Sequence, residues 1–166
     1  FGSRVMVQEM RPDVLIAVDV NHDYDTAPDK GKQRYQPLKL GDGMTMCVGA
    51  IASEQLNGQL EAAAKTVGVT VQRDVRGRDT GTDAMAAVLA SVDCAATSVG
   101  FPIRNMHTVS ELAHAGDVLG CVDVLHAWLE SAAATQLSAT GFRDGHPRLD
   151  HATSPRALPQ PTADCK

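Results

Sequence analysis

Thr97-Ser98-Val99-Gly100-Phe101-Pro102-Ile103-Arg104-Asn105-Met106-His107-Thr108 is the stretch on which the reading of this chain turns. An apolar run of strand length ends in a histidine, and a helix-like stretch follows at once. A second run, Val14-Leu15-Ile16-Ala17-Val18-Asp19, also ends in a side chain able to bind a metal. Strands of an open parallel sheet present their C-terminal ends along one edge, and ligands bind in the crevice there. Asp19 and His107 are therefore expected to converge although they lie far apart in sequence. A catalytic zinc usually takes three protein ligands, and a paired site needs more, so further ligands have to come from elsewhere.

Working outward from these runs, Arg4 to Met10 is predicted as a short helix stopped by Pro12, and Val14 to Val20 as a continuous apolar strand buried on both faces. Asn21 to Tyr35 is a polar loop with Pro28 and Gly31 as turn signals. Pro37 to Leu40 and Met44 to Val48 are two short strand-like pieces around the Gly41-Asp42-Gly43 turn. From the N-cap Ser53, the residues Leu56, Leu60, Ala63, Ala64 and Val67 recur at helical spacing, and Gly68 is placed as a stop. Val69 to Val75 alternates as an edge or half-buried strand, Gly77 to Asp83 is a polar turn, Ala84 to Ser91 a short helix and Ala95 to Ile103 a strand. Val109 to Ala133 is predicted as one long helix burying Leu112, Val118, Leu119, Val122, Leu125, Ala127 and Trp128. The alternation of strands and helices predicts an α/β fold, a partial three-layer α/β/α sandwich around a mostly parallel sheet. After residue 134 the composition shifts to Thr, Ser, Gly and Pro, including Pro147, Pro155, Pro159 and Pro161. No packed core can be built from that stretch, so residues 1–134 are expected to form the domain and 135–166 an irregular or mobile tail.

The 166 residues are 43% hydrophobic and 21% charged, which suits one soluble domain with a single core. A formal net charge of −5 without a basic stripe argues against nucleic acid as a partner. No apolar run approaches the roughly 20 residues of a transmembrane helix, and no charged segment precedes a long apolar one near the start. No membrane partner and a cytoplasmic location are therefore expected. Cys47, Cys94, Cys121 and Cys165 lie far apart without a Cys-x-x-Cys pair, which argues against a zinc finger. Cys94 and Cys121 read as small core residues under reducing conditions. Phe1 in place of an initiator methionine gives the expectation of a processed chain or a fragment.

Each candidate residue has a plainer alternative. Asp19 closes an apolar strand, where a carboxylate is costly unless it meets a cation or donors, and it is either a ligand or a turn aspartate. His107 is either a ligand or a satisfied structural group. Thr82 and Asp83 either bind a substrate group at a helix start or cap that helix. His22, Asp23 and Asp25 are supporting groups for Asp19 or members of a polar loop. Asp74 and Asp79, beside Arg73, Arg76 and Arg78, read as solvated charge pairs.

Four segments in order now bear on function: Ile16-Ala17-Val18-Asp19-Val20 with Asp25-Thr26-Ala27-Pro28, Lys39-Leu40-Gly41-Asp42-Gly43, Asp79-Thr80-Gly81-Thr82-Asp83-Ala84, and Phe101 to Thr108. Over about Pro12 to Glu130 the chain resembles the C-terminal part of the catalytic domain of the M42-family metallo-aminopeptidases, the glutamyl or tetrahedral type. The resemblance implies the C-terminal portion of a zinc-peptidase catalytic domain that removes N-terminal residues from short peptides. It implies that Asp19 and His107 each hold one of two adjacent divalent metal ions, zinc or cobalt. Thr82, Asp83 and the segment from Arg104 to Thr108 would line the substrate pocket, with a structural or interface role open for Arg104. Family members build hollow, often twelve-subunit particles, so a homo-oligomer, a dodecamer by analogy, is expected.

The departures from the family pattern are equally specific. An upstream histidine, a metal-bridging aspartate and a Gln-Glu-Glu segment carrying the general base are missing. Gln8-Glu9-Met10 looks superficially similar, but Glu9 lies only ten residues before Asp19 and Met10 stands in place of the second carboxylate. No catalytic residue is therefore assigned within this chain. The base and remaining ligands are expected on an upstream segment or a companion chain. A non-catalytic α/β binding or assembly domain with remnant ligands is the alternative.

Overall fold

The computed structural model describes residues 2–27, 37–77, 80–90 and 94–131. Helix α1 (Gly2–Met10) leads into β1 (Val14–His22), then β2 (Met44–Gly49), α2 (Glu54–Val67), β3 (Val71–Arg76), α3 (Asp83–Val88), β4 (Ala95–Arg104), the two-residue β5 (Leu112–Ala113) and α4 (Ala115–Glu130). The strand order is β1-β4-β2-β3, with β5 paired to β4. β1 runs parallel to β4 from Val14 opposite Ala95 to His22 opposite Ile103, and β2 runs parallel to β3. These two parallel pairs meet at an antiparallel join, Thr45 opposite Gly100, so the sheet is mixed and carries flanking helices.

Period-2 alternation along β1 sends successive side chains to opposite faces and creates the layers. Val14 and Ile16 pack against a cluster formed by Leu56, Leu60, Ala63 and Ala64 of α2, Cys121, Val124 and Trp128 of α4, and Met44, Met46 and Val99 of the sheet. Leu15 packs on the other side against Val7 of α1 and Ala87 and Ala90 at α3. The helices thus cover both faces, as the pattern of elements predicts. α2 begins and ends where expected. The Ser53 hydroxyl accepts the Leu56 N–H at 3.3 Å, and Gly68 takes the left-handed conformation (φ 72°) that a stop glycine permits.

Three local expectations are corrected. Pro37 to Leu40 is not a strand: Lys39 N–H donates to the Gln72 side chain at 2.8 Å, and the Gln72 amide donates to the Lys39 and Gly43 carbonyls. One buried glutamine does there what a strand ladder would otherwise do. The last helix begins at Ala115, not Val109, because Leu112 and Ala113 pair with Arg104 and Ile103 on the side of β4 that β1 leaves open. Its buried face is Asp117, Gly120, Cys121, Val124 and Trp128, so Leu119 and Val122 point outward at 61% and 57% exposure. The buried Asp117 carboxylate, accepting the N–H groups of Gly41 (2.7 Å) and Gly43 (3.0 Å), sets that helix phase. Residues 135–166, with the expected tail, lie outside the described residues.

Candidate functional site

β1 does not stop at Asp19. Val20, Asn21 and His22 continue the ladder opposite Phe101, Pro102 and Ile103, so Asp19 lies within the strand, opposite Gly100. Its Oδ1 accepts the Val20 N–H at 2.8 Å, which fixes the carboxylate and leaves Oδ2 for another donor. Gly100 makes the close strand pairing possible: a Cβ at that position would lie 1.6 Å from the Asp19 carbonyl oxygen.

Beyond Asp19, the end of β1 is tied down by side chains. The Asn21 Oδ1 accepts the Thr45 hydroxyl of β2, and its amide donates to Asp74 of β3 at 2.9 Å. Arg76 Nε donates to the same Asp74 carboxylate at 2.8 Å. Asp74 and Arg76 are therefore a half-buried structural pair rather than solvated charges, whereas Arg73 reaches across to Glu61 of α2. Cys47 lies beneath this network. Burial, with Asp74 adding to it, pushes its thiol up to about 11, which keeps it protonated and a poor nucleophile.

Asp23 follows as a fully buried carboxylate that accepts Arg104 Nε at 2.5 Å and the Asp25 N–H at 3.2 Å, while its own N–H donates to the Ile103 carbonyl. Arg104 is thereby bound to the end of β1. Burial alone would raise the Asp23 pKa, but the Arg104 hydrogen bond and the backbone donors outweigh it and hold the carboxyl below its ordinary value of 3.8. The lowered value stabilises the fold above 3.8, and that stabilisation is lost as pH falls through the lower folded value. Urea unfolding midpoints of the parent are expected to hold steady down to about pH 4 and then fall. In Arg104→Met the strongest offset to burial is gone, so the Asp23 share of this acid decline should shrink or vanish while the midpoint at neutral pH drops.

His107 lies past the end of β4, exposed, in the connection to β5. Asn105 (φ 56°) and His107 (φ 65°) both adopt left-handed backbone, uncommon for residues with a Cβ. No hydrogen bond joins Asp19 to His107, and no group of three or more His, Cys, Asp or Glu gathers as a metal set among the described residues. Thr82 precedes α3, but its side chain makes no cap hydrogen bond. Its N–H donates to the Thr80 hydroxyl instead, and the two hydroxyls lie 2.9 Å apart. Asp83 is exposed at the first helical position.

The sequence reading missed Asn21 and Glu111, whose carboxylate accepts the His107 N–H at 2.6 Å, and took Asp74 for a solvated charge. The available signal for Asn21 was a strand-compatible register running past Asp19; nothing in spacing points from Asn21 to Asp74. A cavity of about 750 Å³, lined by Lys39, Asp42, Gln72, His114 and Asp117 at the start of α4, was likewise unforeseen. It is shaped by the Asp117 clamp on the Gly41 to Gly43 loop.

Residues 1–124 match the model of the M42 glutamyl aminopeptidase family. The chain belongs to this family. A curated relative, the lysyl aminopeptidase of Pyrococcus furiosus, is 35% identical over 130 residues, covering 78% of this chain and 36% of the relative. Among solved structures, the dodecameric PhTET1-12s is 25% identical with a TM-score of 0.59, over 76% of this chain and 36% of that one. The TET aminopeptidase of Thaumarchaeota archaeon SCGC AB-539-E09, at 17% identity, shares the fold with a TM-score of 0.67 over 79% of this chain and 36% of that one. This M42 chain thus spans little more than a third of the relatives it matches. None of its described helices is long and apolar enough to cross a membrane.

Proposed function

We propose that this chain is the C-terminal portion of a two-metal aminopeptidase that hydrolyses N-terminal residues from short peptides, with the remaining ligands and the general base supplied by an upstream segment or companion chain. The family match over residues 1–124 carries this reading, together with the four motifs standing in family order. The donors fit a divalent ion in kind, since Asp19 keeps one carboxylate oxygen available and His107 an exposed imidazole. They do not fit in number, because the described residues assemble no set of three.

In the proposed enzyme Asp19 and His107 each hold one of two divalent ions, zinc or cobalt. When bound, the metal pair supplies Lewis-acid polarisation of the scissile carbonyl and an acidified water. The chain's own part is positional. The Val20 N–H orients the Asp19 carboxylate, Gly100 admits β4 against it, and Asn21 holds the strand end beyond it. Thr82 and Asp83 line the substrate pocket, and Arg104, held by Asp23, borders it. The assembly is a homo-oligomer, a dodecamer on the analogy of PhTET1-12s.

The isolated chain is expected to bind divalent metal weakly and to release no p-nitroaniline from aminoacyl-p-nitroanilides, because two ligands cannot hold a metal pair. Mixing or fusing it with the segment carrying the missing histidine, aspartate and Gln-Glu-Glu should restore turnover. Turnover by the isolated chain would overturn the division of ligands. The lack of a three-donor group among the described residues favours a second reading, a non-catalytic binding or assembly domain. Failure of every such combination to turn over would establish it.

A further inference from the structure

β1 forms one edge of the sheet and β3 the other, and the two edges are built differently. β3 carries Arg73, Asp74 and Arg76 within its six residues, and charges along an edge discourage a further strand from pairing there. β1 reads Val14-Leu15-Ile16-Ala17-Val18 before its first charge, and its nine residues include neither proline nor lysine. An apolar run of this kind is the composition of a strand covered on both faces. Yet none of the nine residues is buried, and Val18 is 58% exposed. Helix α1, which packs on Leu15 through Val7, adds Val5, Met6 and Met10, each half or more exposed.

The two ends of β1 fix which way its main chain points. The Asp13 carbonyl accepts the Ala95 N–H and the Asp23 N–H donates to the Ile103 carbonyl, both at 2.8 Å. The register between them is unbroken, so odd-numbered residues turn their main chain toward β4 and even-numbered ones turn it to the open edge. Among the described residues no strand pairs with that edge. The outward Val20 N–H is answered instead by the Asp19 carboxylate.

We propose that the open edge of β1 seats an extended strand of the companion segment, whose main chain pairs with Ile16, Val18 and Val20 and takes the Val20 N–H over from Asp19. This rests on the reading that a companion segment completes the enzyme. A row of unpaired N–H and C=O groups is matched by extended main chain, which fixes the form of the occupant. Its source follows from length: this chain spans 36% of the lysyl aminopeptidase relative, which leaves most of such a protein to supply the strand. Docking then releases the Asp19 carboxylate in the same step that brings the companion's residues beside it.

The test follows amide hydrogen exchange residue by residue, in the chain alone and mixed with the segment carrying the missing histidine, aspartate and Gln-Glu-Glu. Alone, Ile16 and Val18 should exchange fast while Leu15, Ala17 and Asn21 exchange slowly. In the mixture Ile16 and Val18 should slow by at least about tenfold. In Asp19→Ala the Val20 amide should exchange fast alone and slowly in the mixture, because a carbonyl of the incoming strand has replaced the carboxylate. Val18→Pro removes an outward N–H without costing a bond to β4 and should weaken association by about tenfold. Should that variant not fold, the exchange pattern of the parent decides alone. Turnover in a mixture where Ile16 and Val18 stay fast would seat the companion elsewhere, overturning this proposal and leaving the enzyme reading intact. A mixture that neither associates nor turns over removes that reading and the proposal with it. Protection in the chain alone that grows with its own concentration would make the occupant a second copy and overturn the proposal. So would a Val20 amide in Asp19→Ala that stays fast in a mixture protecting Val18.

Discussion

Replacing His107 by Ala in the enzyme completed with its companion segment is expected to lower metal content per subunit and to cut turnover at least about a hundredfold, with the fold intact. The imidazole is exposed and makes no contact with either core cluster, so its loss takes away a donor and little packing. Asp19→Ala should do the same to the other ion. It gives up one local hydrogen bond to Val20, worth about 1 kcal/mol, so stability changes little beside activity. His126→Ala is the control. That side chain is exposed on α4, 3.5 Å from Glu130, and both metal content and rate should stay at parent levels. His114 is a less clean control, because its ring sits 3.5 Å from the buried Asp117 carboxylate at the start of α4, where its loss should touch stability but spare activity. Metal analysis beside aminoacyl-p-nitroanilide turnover reads all four variants. Full metal content and rate in His107→Ala would remove the two-metal assignment.

Gly100→Ala is expected to destabilise the domain by about 3 kcal/mol or more. The added Cβ would meet the Asp19 carbonyl oxygen at 1.6 Å and its carbonyl carbon at 2.7 Å, both backbone atoms of the adjacent strand. No rotamer change relieves such an overlap, so β1 must move away from β4 at the position of Asp19. Activity should fall along with stability. Gly58→Ala on α2 provides the opposite sign: nothing lies within 4 Å of the new Cβ, and alanine in a helix interior should add about 0.5–1 kcal/mol. Urea unfolding of both variants measures the contrast. A Gly100→Ala midpoint at or above the parent's would mean that the strands are not packed this closely.

Much of the architecture was legible in the chain because it follows from local rules. The apolar run at Val14 to Val18, the Ser53 cap, the Gly68 stop and the apolar spacing between them state strand, helix start, helix end and buried face without reference to anything distant. The motifs around Asp19, Thr82 and His107 were legible as well, because a family is marked by short segments in order. The last helix was misread where a local rule met a distant partner. Val109 to Ala113 has helix-compatible composition, but the open side of β4 at Ile103 and Arg104 draws Leu112 and Ala113 into a strand pair. Leu119 and Val122 look like core by hydropathy, but the phase of α4 is set by Asp117 reaching the backbone of Gly41 and Gly43. The same holds at the site. Sequence by itself determined which side chains have donor chemistry and which strands carry them. Only the tertiary structure decided that Asn21 is held by Thr45 and Asp74, that Asp23 is buried under Arg104, and that Glu111 grips the backbone of His107. Hydrophobic pattern is a property of neighbours along the chain, whereas a buried polar group is satisfied by whatever donor the fold brings within 3 Å, and that donor can lie anywhere in the sequence.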